Sequence, residues 1–203
     1  MAKPKGRNRD LFDATHAALL RTARALFIEH GFEAVTTPMI AAKAQVSQGT
    51  VFHHFNTKRD LFIAVYNPFQ LEFLAHLEAA AAKATSPEER FDRIWRAYLA
   101  STDDEGMRRM VLLDGPRVIG LENVRAHDRE TIFAFFTQEL VALKEAGVIE
   151  MASPRATAVL LLGALDQAAF EIADFPDDLE MKRHLIDAIA SLIERLKTDP
   201  AAS

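Results

Sequence analysis

From about residue 13 to residue 197, nearly every segment repeats its apolar side chains at intervals of three and four, and no stretch alternates β-branched and aromatic residues with polar ones between turn dipeptides. A 3.6-residue period buries one stripe of a helix and cannot sit as a strand, so the chain reads as all-α. A first helix from about Asp13 aligns Leu19, Leu20, Ala23, Leu26 and Phe27 and stops at Gly31, a residue suited to a left-handed helix end. Thr36-Thr37-Pro38 offers a capping hydroxyl and a first-turn proline for a short helix to Ala44. Ser47 caps a third helix reaching Phe55, and Thr57 caps a fourth that begins near Lys58. Pro68 is expected to kink or interrupt that helix. Further helices fall at about 87–103, 104–114, 123–146, 154–173 and 179–197, separated by Asp114-Gly115-Pro116, Gly147, Ser153-Pro154 and Phe175-Pro176.

Composition narrows the class. With 203 residues, 49% hydrophobic and 26% charged, the chain can bury a core and is neither disordered nor collagen-like. It has no cysteine, which removes disulfides, thiolate metal sites and thiol nucleophiles. The apolar runs Ala156 to Leu165 and Ala79 to Ala82 are too short or too weak for a spanning helix, and the charged opening residues precede no apolar segment. A cytoplasmic protein with no membrane partner is expected. Charge is unevenly spread. Residues 1–59 hold nine Lys/Arg against four Asp/Glu, whereas residues 60–203 hold 15 against 25. A basic end beside an acidic remainder fits nucleic-acid contact at one end only. We divide the chain into a basic arm at 1–12, a helix-turn-helix domain at 13–66, and a C-terminal domain at 67–203 for effector binding and dimerisation.

The segment from Thr36 to Leu61 carries the chemistry. Two short helices about a tight turn make a helix-turn-helix. At 100° per residue, Val51 and Phe55 share one face of the second helix with the capping Ser47, while Gln48, Gly49, Phe52 and His53 lie toward the other. The second face suits a groove: Gln48 can bond an adenine edge, Gly49 permits close approach, and Phe52 or the Thr50 methyl can touch a thymine methyl. Thr37, Thr50, His54 and Lys58 are candidate phosphate contacts. In the N-terminal arm, Lys3, Lys5, Arg7 and Arg9 either track phosphates or enter a minor groove, or form a solubilising tail.

Over residues 13–73 this stretch resembles the DNA-binding segment of the TetR family of bacterial transcriptional regulators. The likeness rests on Phe27 to Glu33, the Thr36-Thr37 pair, Ile40-Ala41, Val46 to Thr50, and His53-His54-Phe55 followed by Lys58 and Leu61. The resemblance implies an obligate helical homodimer on double-stranded operator DNA, with a variable C-terminal domain in which a small molecule shifts the spacing of the two readers. It makes Thr37, Gln48, Thr50, Phe52, His53, His54 and Lys58 the expected DNA contacts. Two positions depart from the family pattern. Gln45 stands where glycine is usual in the turn, at a cost of about 1 kcal/mol if the residue is left-handed. Phe52 replaces the usual tyrosine and lacks its hydroxyl.

Phe73, Trp95, Tyr98, Met110, Phe133, Phe136, Asp166 and Phe170 are candidate effector contacts on the C-terminal helices, where core packing is the competing role for each. Aromatic and methionine side chains suit a small apolar or planar effector. By resemblance the helices at 154–173 and 179–197 form the dimer interface: Leu161, Gly163, Ala164, Leu165 and Ala168 offer close approach, and Leu185, Ile186, Ile189, Leu192, Ile193 and Leu196 form a stripe wider than one seam, with an internal core helix as the alternative. Adjacent His53 and His54 point about 100° apart and do not converge on one ion with Asp60. No nucleophile with its base, phosphate loop or cofactor motif stands at a recognisable spacing, so neither an enzyme nor a cofactor is expected. The reading is a ligand-responsive repressor. The alternative is a helical small-molecule-binding protein without specific operator recognition.

Overall fold

The computed structural model describes residues 5–120, 122–124 and 130–197, apart from the side chains of residues 5–8. The arm reading of Lys3, Lys5 and Arg7 therefore falls outside the described side chains, and residues 125–129 of the expected 123–146 helix fall outside the described chain. Among the described residues every element is helical except an isolated bridge between Ile149 and Lys197.

Helix α1 spans Lys5–Ala34 and is broken at Gly31, whose φ of 76° marks the predicted helix end. It starts well before Asp13. Leu11 and Phe12 lie largely exposed, so this first part buries no stripe that periodicity can detect. Helices α2 (Thr37–Lys43), α3 (Gln48–His54) and α4 (Lys58–Ala81) follow. Thr36, Ser47 and Thr57 cap them by accepting the backbone N–H groups of Met39, Thr50 and Asp60, and Asp60 completes a capping box on α4. Pro68 does not interrupt α4, which runs through it as one helix of 24 residues. The proline lies on the exposed side, where water can satisfy the carbonyl it leaves unpaired, while Tyr66, Phe69 and Gln70 hold the helix from the buried side.

Helix α5 (Pro87–Ala100) is capped by Ser86 and leads through a 3₁₀ turn to α6 (Glu105–Met107). The expected helix at 104–114 is in large part a π-helical segment, Arg108–Asp114, which continues into α7 (Gly115–Ile119). Helices α8 (Ile132–Glu145), α9 (Pro154–Asp174) and α10 (Leu179–Glu194) complete the chain. Helix α9 is long and apolar enough by composition to cross a membrane, with a mean hydropathy of 1.4, and 44% of that window is buried within the chain.

Two cores form. One gathers Leu19, Phe27, Ile40, Val51, Leu61 and Phe62 around α1 to α4, and the other gathers Leu77, Ile94, Trp95, Phe136, Leu140 and Leu165 in the C-terminal bundle. Helix α4 serves both: Leu61 to Phe69 enter the first and Phe73 to Ala81 the second. The expected boundary at residue 66 thus falls inside a continuous helix.

Candidate nucleic-acid interface and effector cavity

The α2–α3 turn is built on one strained residue. Gln45 has φ 57°, the sole positive φ at a non-glycine among the described residues. The N–H of Val46 then closes on the carbonyl of Ala41 at 3.0 Å, and the chain enters the Ser47 cap of α3. Ser47 Oγ accepts from Thr50 N at 3.0 Å and pairs with Thr50 Oγ1 at 2.9 Å, so the Thr50 hydroxyl is already engaged. Gln48 Nε2 reaches Thr37 Oγ1 at 3.4 Å and links the starts of the two helices.

Of the sequence-predicted contacts, Gln48, Gly49, Phe52 and His53 share the exposed side of α3, with Thr37 and Thr50 half-buried beside them. A Cβ built at Gly49 would meet nothing nearer than Ser47 Oγ at 3.7 Å, so no internal packing demands glycine there. His54 turns toward α1. Its ring centroid lies 4.1 Å from Phe12 and 5.5 Å from His16, and burial, followed by the charges of His16 and His53, holds its pKa below the usual imidazole value. Lys58 also turns inward. Its ammonium donates to the carbonyls of Phe32 and Val35 at 2.8 and 2.9 Å and sits 4.0 Å above the Phe32 ring. Two of its three N–H groups thus tie down the end of α1.

The candidate effector residues divide among four places. Phe73, Tyr98, Phe133, Asp166 and Phe170 line one cavity of about 250 Å³ between α4, α5, α8 and α9, together with Val111, Leu112 and Pro116. The Tyr98 hydroxyl donates to the Asp166 carboxylate at its wall. Trp95 instead lines a separate cavity of about 340 Å³ rimmed by Glu88, Asp92 and Lys197. Phe136 is fully buried against Phe91 and Tyr98, and Met110 belongs to the N-terminal core. Among the described residues no cluster of three or more His, Asp or Glu is disposed to hold a metal ion.

Three polar links that sequence reasoning missed join the cavity side to the reader. Asp114 Oδ2 accepts from the backbone N–H of Phe32 at 2.8 Å, Arg59 donates to the carbonyls of Val118 and Ile119 at 2.9 and 3.1 Å, and Arg24 grips Glu72 through two bonds of 2.7 and 2.8 Å. The detectable signal was an acid, Asp114, at the end of the apolar run Val111-Leu112-Leu113 and directly before Gly115-Pro116.

Comparison with known proteins agrees with this geometry. The family model for bacterial regulatory proteins of the tetR family matches residues 19–65, and the model for the tetracyclin repressor-like C-terminal domain matches residues 88–196. The chain is 28% identical over 116 residues to the transposon Tn10 TetC protein of Escherichia coli, covering 57% of this chain and 58% of that one. It is 30% identical over 73 residues to the HTH-type transcriptional regulator QacR of Staphylococcus aureus, covering 36% of this chain and 39% of that one. The chain thus spans less than two thirds of the length of these curated relatives. A TetR-family transcriptional regulator from Pectobacterium atrosepticum superposes with a TM-score of 0.83 and 30% identity, covering 95% of this chain and 98% of that chain. The fatty acid degradation regulator FadR of Bacillus halodurans shares the fold, with a TM-score of 0.71 at 18% identity over 94% of this chain and 96% of that chain. With one model matched on the reader, another on the bundle, and a solved relative covered almost end to end, the chain belongs to the TetR family of bacterial regulatory proteins.

Proposed function

We propose that this protein is a cytoplasmic, nucleoid-associated transcriptional repressor that binds a palindromic operator as a homodimer and releases it when a small apolar or aromatic effector fills the Phe73–Phe170 cavity. Gln48, Gly49, Thr50, Phe52 and His53 read the major groove, with Thr37 beside them at the backbone. Two-fold symmetry sets half-sites about 10 bp apart or at a multiple of the helical turn. The role is recognition and no catalytic step is assigned.

The observation that carries this reading is the continuity between cavity and reader. Val111, Leu112 and Pro116 line the cavity, and Asp114 between them holds the Phe32 N–H. An effector that moves this wall moves a group bonded to the reader. Release follows only if the effector binds the DNA-incompetent arrangement more tightly, since equal affinity for both arrangements shifts nothing.

A second surface supports the dimer. Leu160 is 74% exposed, Leu192 is 51% exposed, and Gly163 has no atom within 4 Å of the position a Cβ would take. Leu160 and Gly163 stand one turn apart on α9, which allows close approach of a second copy. Leu161, Leu165, Ala168, Ile189 and Ile193, expected at the interface from sequence, instead pack in the chain's own core.

The test is fluorescence anisotropy of the purified protein on duplex DNA flanking its own coding region, with non-specific competitor and a salt series. The expected result is sequence-specific binding that weakens steeply with salt. Affinity no greater than for random duplex at every salt concentration would overturn the reading in favour of a ligand-binding bundle without operator recognition.

A further inference from the structure

Phe12 belongs to neither hydrophobic core and is 42% exposed, yet its ring touches three imidazoles. It lies 4.1 Å from His54 in a tilted stack, 5.8 Å from His53 edge-on, and 6.3 Å from His16, one turn further along α1. His16 in turn stacks on Phe55 at 4.8 Å. Elsewhere α3 is held by its packing against α2 and by Val51 and the adjoining Phe55 in the N-terminal core. Val51 is its one buried residue, and the Gln48–Thr37 bond restrains only its first turn. The last turn of α3, which carries His53 and His54, meets α1 through this group of rings.

Consecutive residues on a helix point about 100° apart, so one ring in contact with both His53 and His54 fills the wedge between them and opposes rotation of α3 about its axis. That rotation matters for reading bases. Side-chain tips lie about 6 Å from a helix axis, so a roll of about 20° displaces them by about 2 Å, well beyond the ~0.5 Å within which a binding constellation must be held. Nδ1 of His16 and Nδ1 of His54 are both buried with no hydrogen-bond partner among the described residues, a condition that ordinary packing avoids.

We infer that Phe12 is a positioning residue for operator recognition: its ring, wedged against His53 and His54, sets the azimuth at which α3 presents Gln48, Phe52 and His53 to the bases. This inference rests on the DNA-reading function proposed above. It extends the functional reader to the part of α1 that precedes the expected domain start at residue 13.

The experiment is in vitro selection from a random-sequence duplex library with the full chain, run in parallel for wild type, Phe12→Ala and Phe12→Tyr. Circular dichroism and thermal melting accompany each variant to establish that it is folded. The expected result is a half-site motif enriched by wild type, preference at one or two base positions reduced about tenfold in Phe12→Ala, and restoration by Phe12→Tyr, which keeps the ring. Affinity for random duplex and its salt dependence stay within about twofold, since no phosphate contact is lost. NMR titration gives a readout independent of DNA. The His54 midpoint lies below 6.5 in wild type and returns toward it in Phe12→Ala once the covering ring is gone. Enrichment of the same motif with the same preferences by a folded Phe12→Ala overturns the inference and leaves DNA reading intact. If wild type enriches nothing, DNA reading itself fails and the inference with it.

Discussion

The carboxylate of Asp114 accepts a 2.8 Å hydrogen bond from the backbone N–H of Phe32, 82 residues earlier in the chain. Asp114 is buried, and Phe32 follows the Gly31 break in α1, where the helical ladder leaves that N–H in need of an acceptor. Replacing the carboxylate with a methyl group leaves a part-buried donor unsatisfied. Asp114→Ala is expected to lower stability by about 1–3 kcal/mol. It is also expected to weaken the effect of a cavity ligand on DNA affinity while leaving ligand affinity for the DNA-free protein near wild type. Denaturant unfolding and paired titrations with and without DNA measure both. Unchanged coupling in a folded variant would mean that the signal travels through Arg59 or Arg24 instead.

Gln45 occupies a left-handed conformation that glycine adopts without a Cβ clash. Gln45→Gly relieves that strain but frees the unfolded chain, so the net gain is expected to be at most about 1 kcal/mol. The urea midpoint should rise with the slope unchanged. A fall would show that the exposed Gln45 side chain contributes more than its backbone strain removes.

The lowered pKa of His54 ties stability to pH with a definite sign. Burial disfavours its charged form in the folded state, so the folded value lies below the unfolded 6.5. The unfolded chain then binds more protons as pH drops through this range, and the contribution is complete above pH 6.5 and lost as pH falls through the lowered value. Urea midpoints measured on both sides of pH 6.5 should fall on acidification by more in wild type than in His54→Gln. Parallel pH profiles for the two proteins would contradict the assignment.

Leu160 projects from α9 into solvent and contributes nothing to the chain's own core. Leu160→Lys places a charge where a second copy is proposed to pack. Sedimentation equilibrium should find a dimer in wild type and a monomer in the variant, with helical content preserved and operator affinity sharply reduced. A dimeric variant would move the interface elsewhere.

Local chemistry was legible in the sequence. Thr36, Ser47 and Thr57 each cap the helix that follows, because a capping hydroxyl acts on N–H groups two or three residues away. The exposed face of α3 followed from its period for the same reason. Roles decided by distant partners were not legible. Lys58 serves carbonyls 23 and 26 residues back, which no local pattern signals. Met110 is a candidate effector contact with core packing as the competing role, and local pattern does not say which core. It lies in a π-helical segment, whose wider turn displaces side chains from the faces an α-helix would give them, and it packs into the N-terminal core. The early start of α1 was invisible because its first turns face solvent, and Leu161, Leu165 and Ala168 fall in the chain's own core because α9 has apolar side chains on both its inner and its outer face.

Helix α4 stays unbroken through Pro68 while its two halves belong to different cores. Its 24 residues make a rod about 36 Å long. For such a rod a tilt of about 5°, set at the cavity end, sweeps the reader end through about 3 Å. In a two-fold pair the mirrored sweep doubles to about 6 Å, a sizeable fraction of the ~34 Å between adjacent major-groove half-sites. Amplification of this kind needs no large rearrangement at the cavity, only a lever that does not bend.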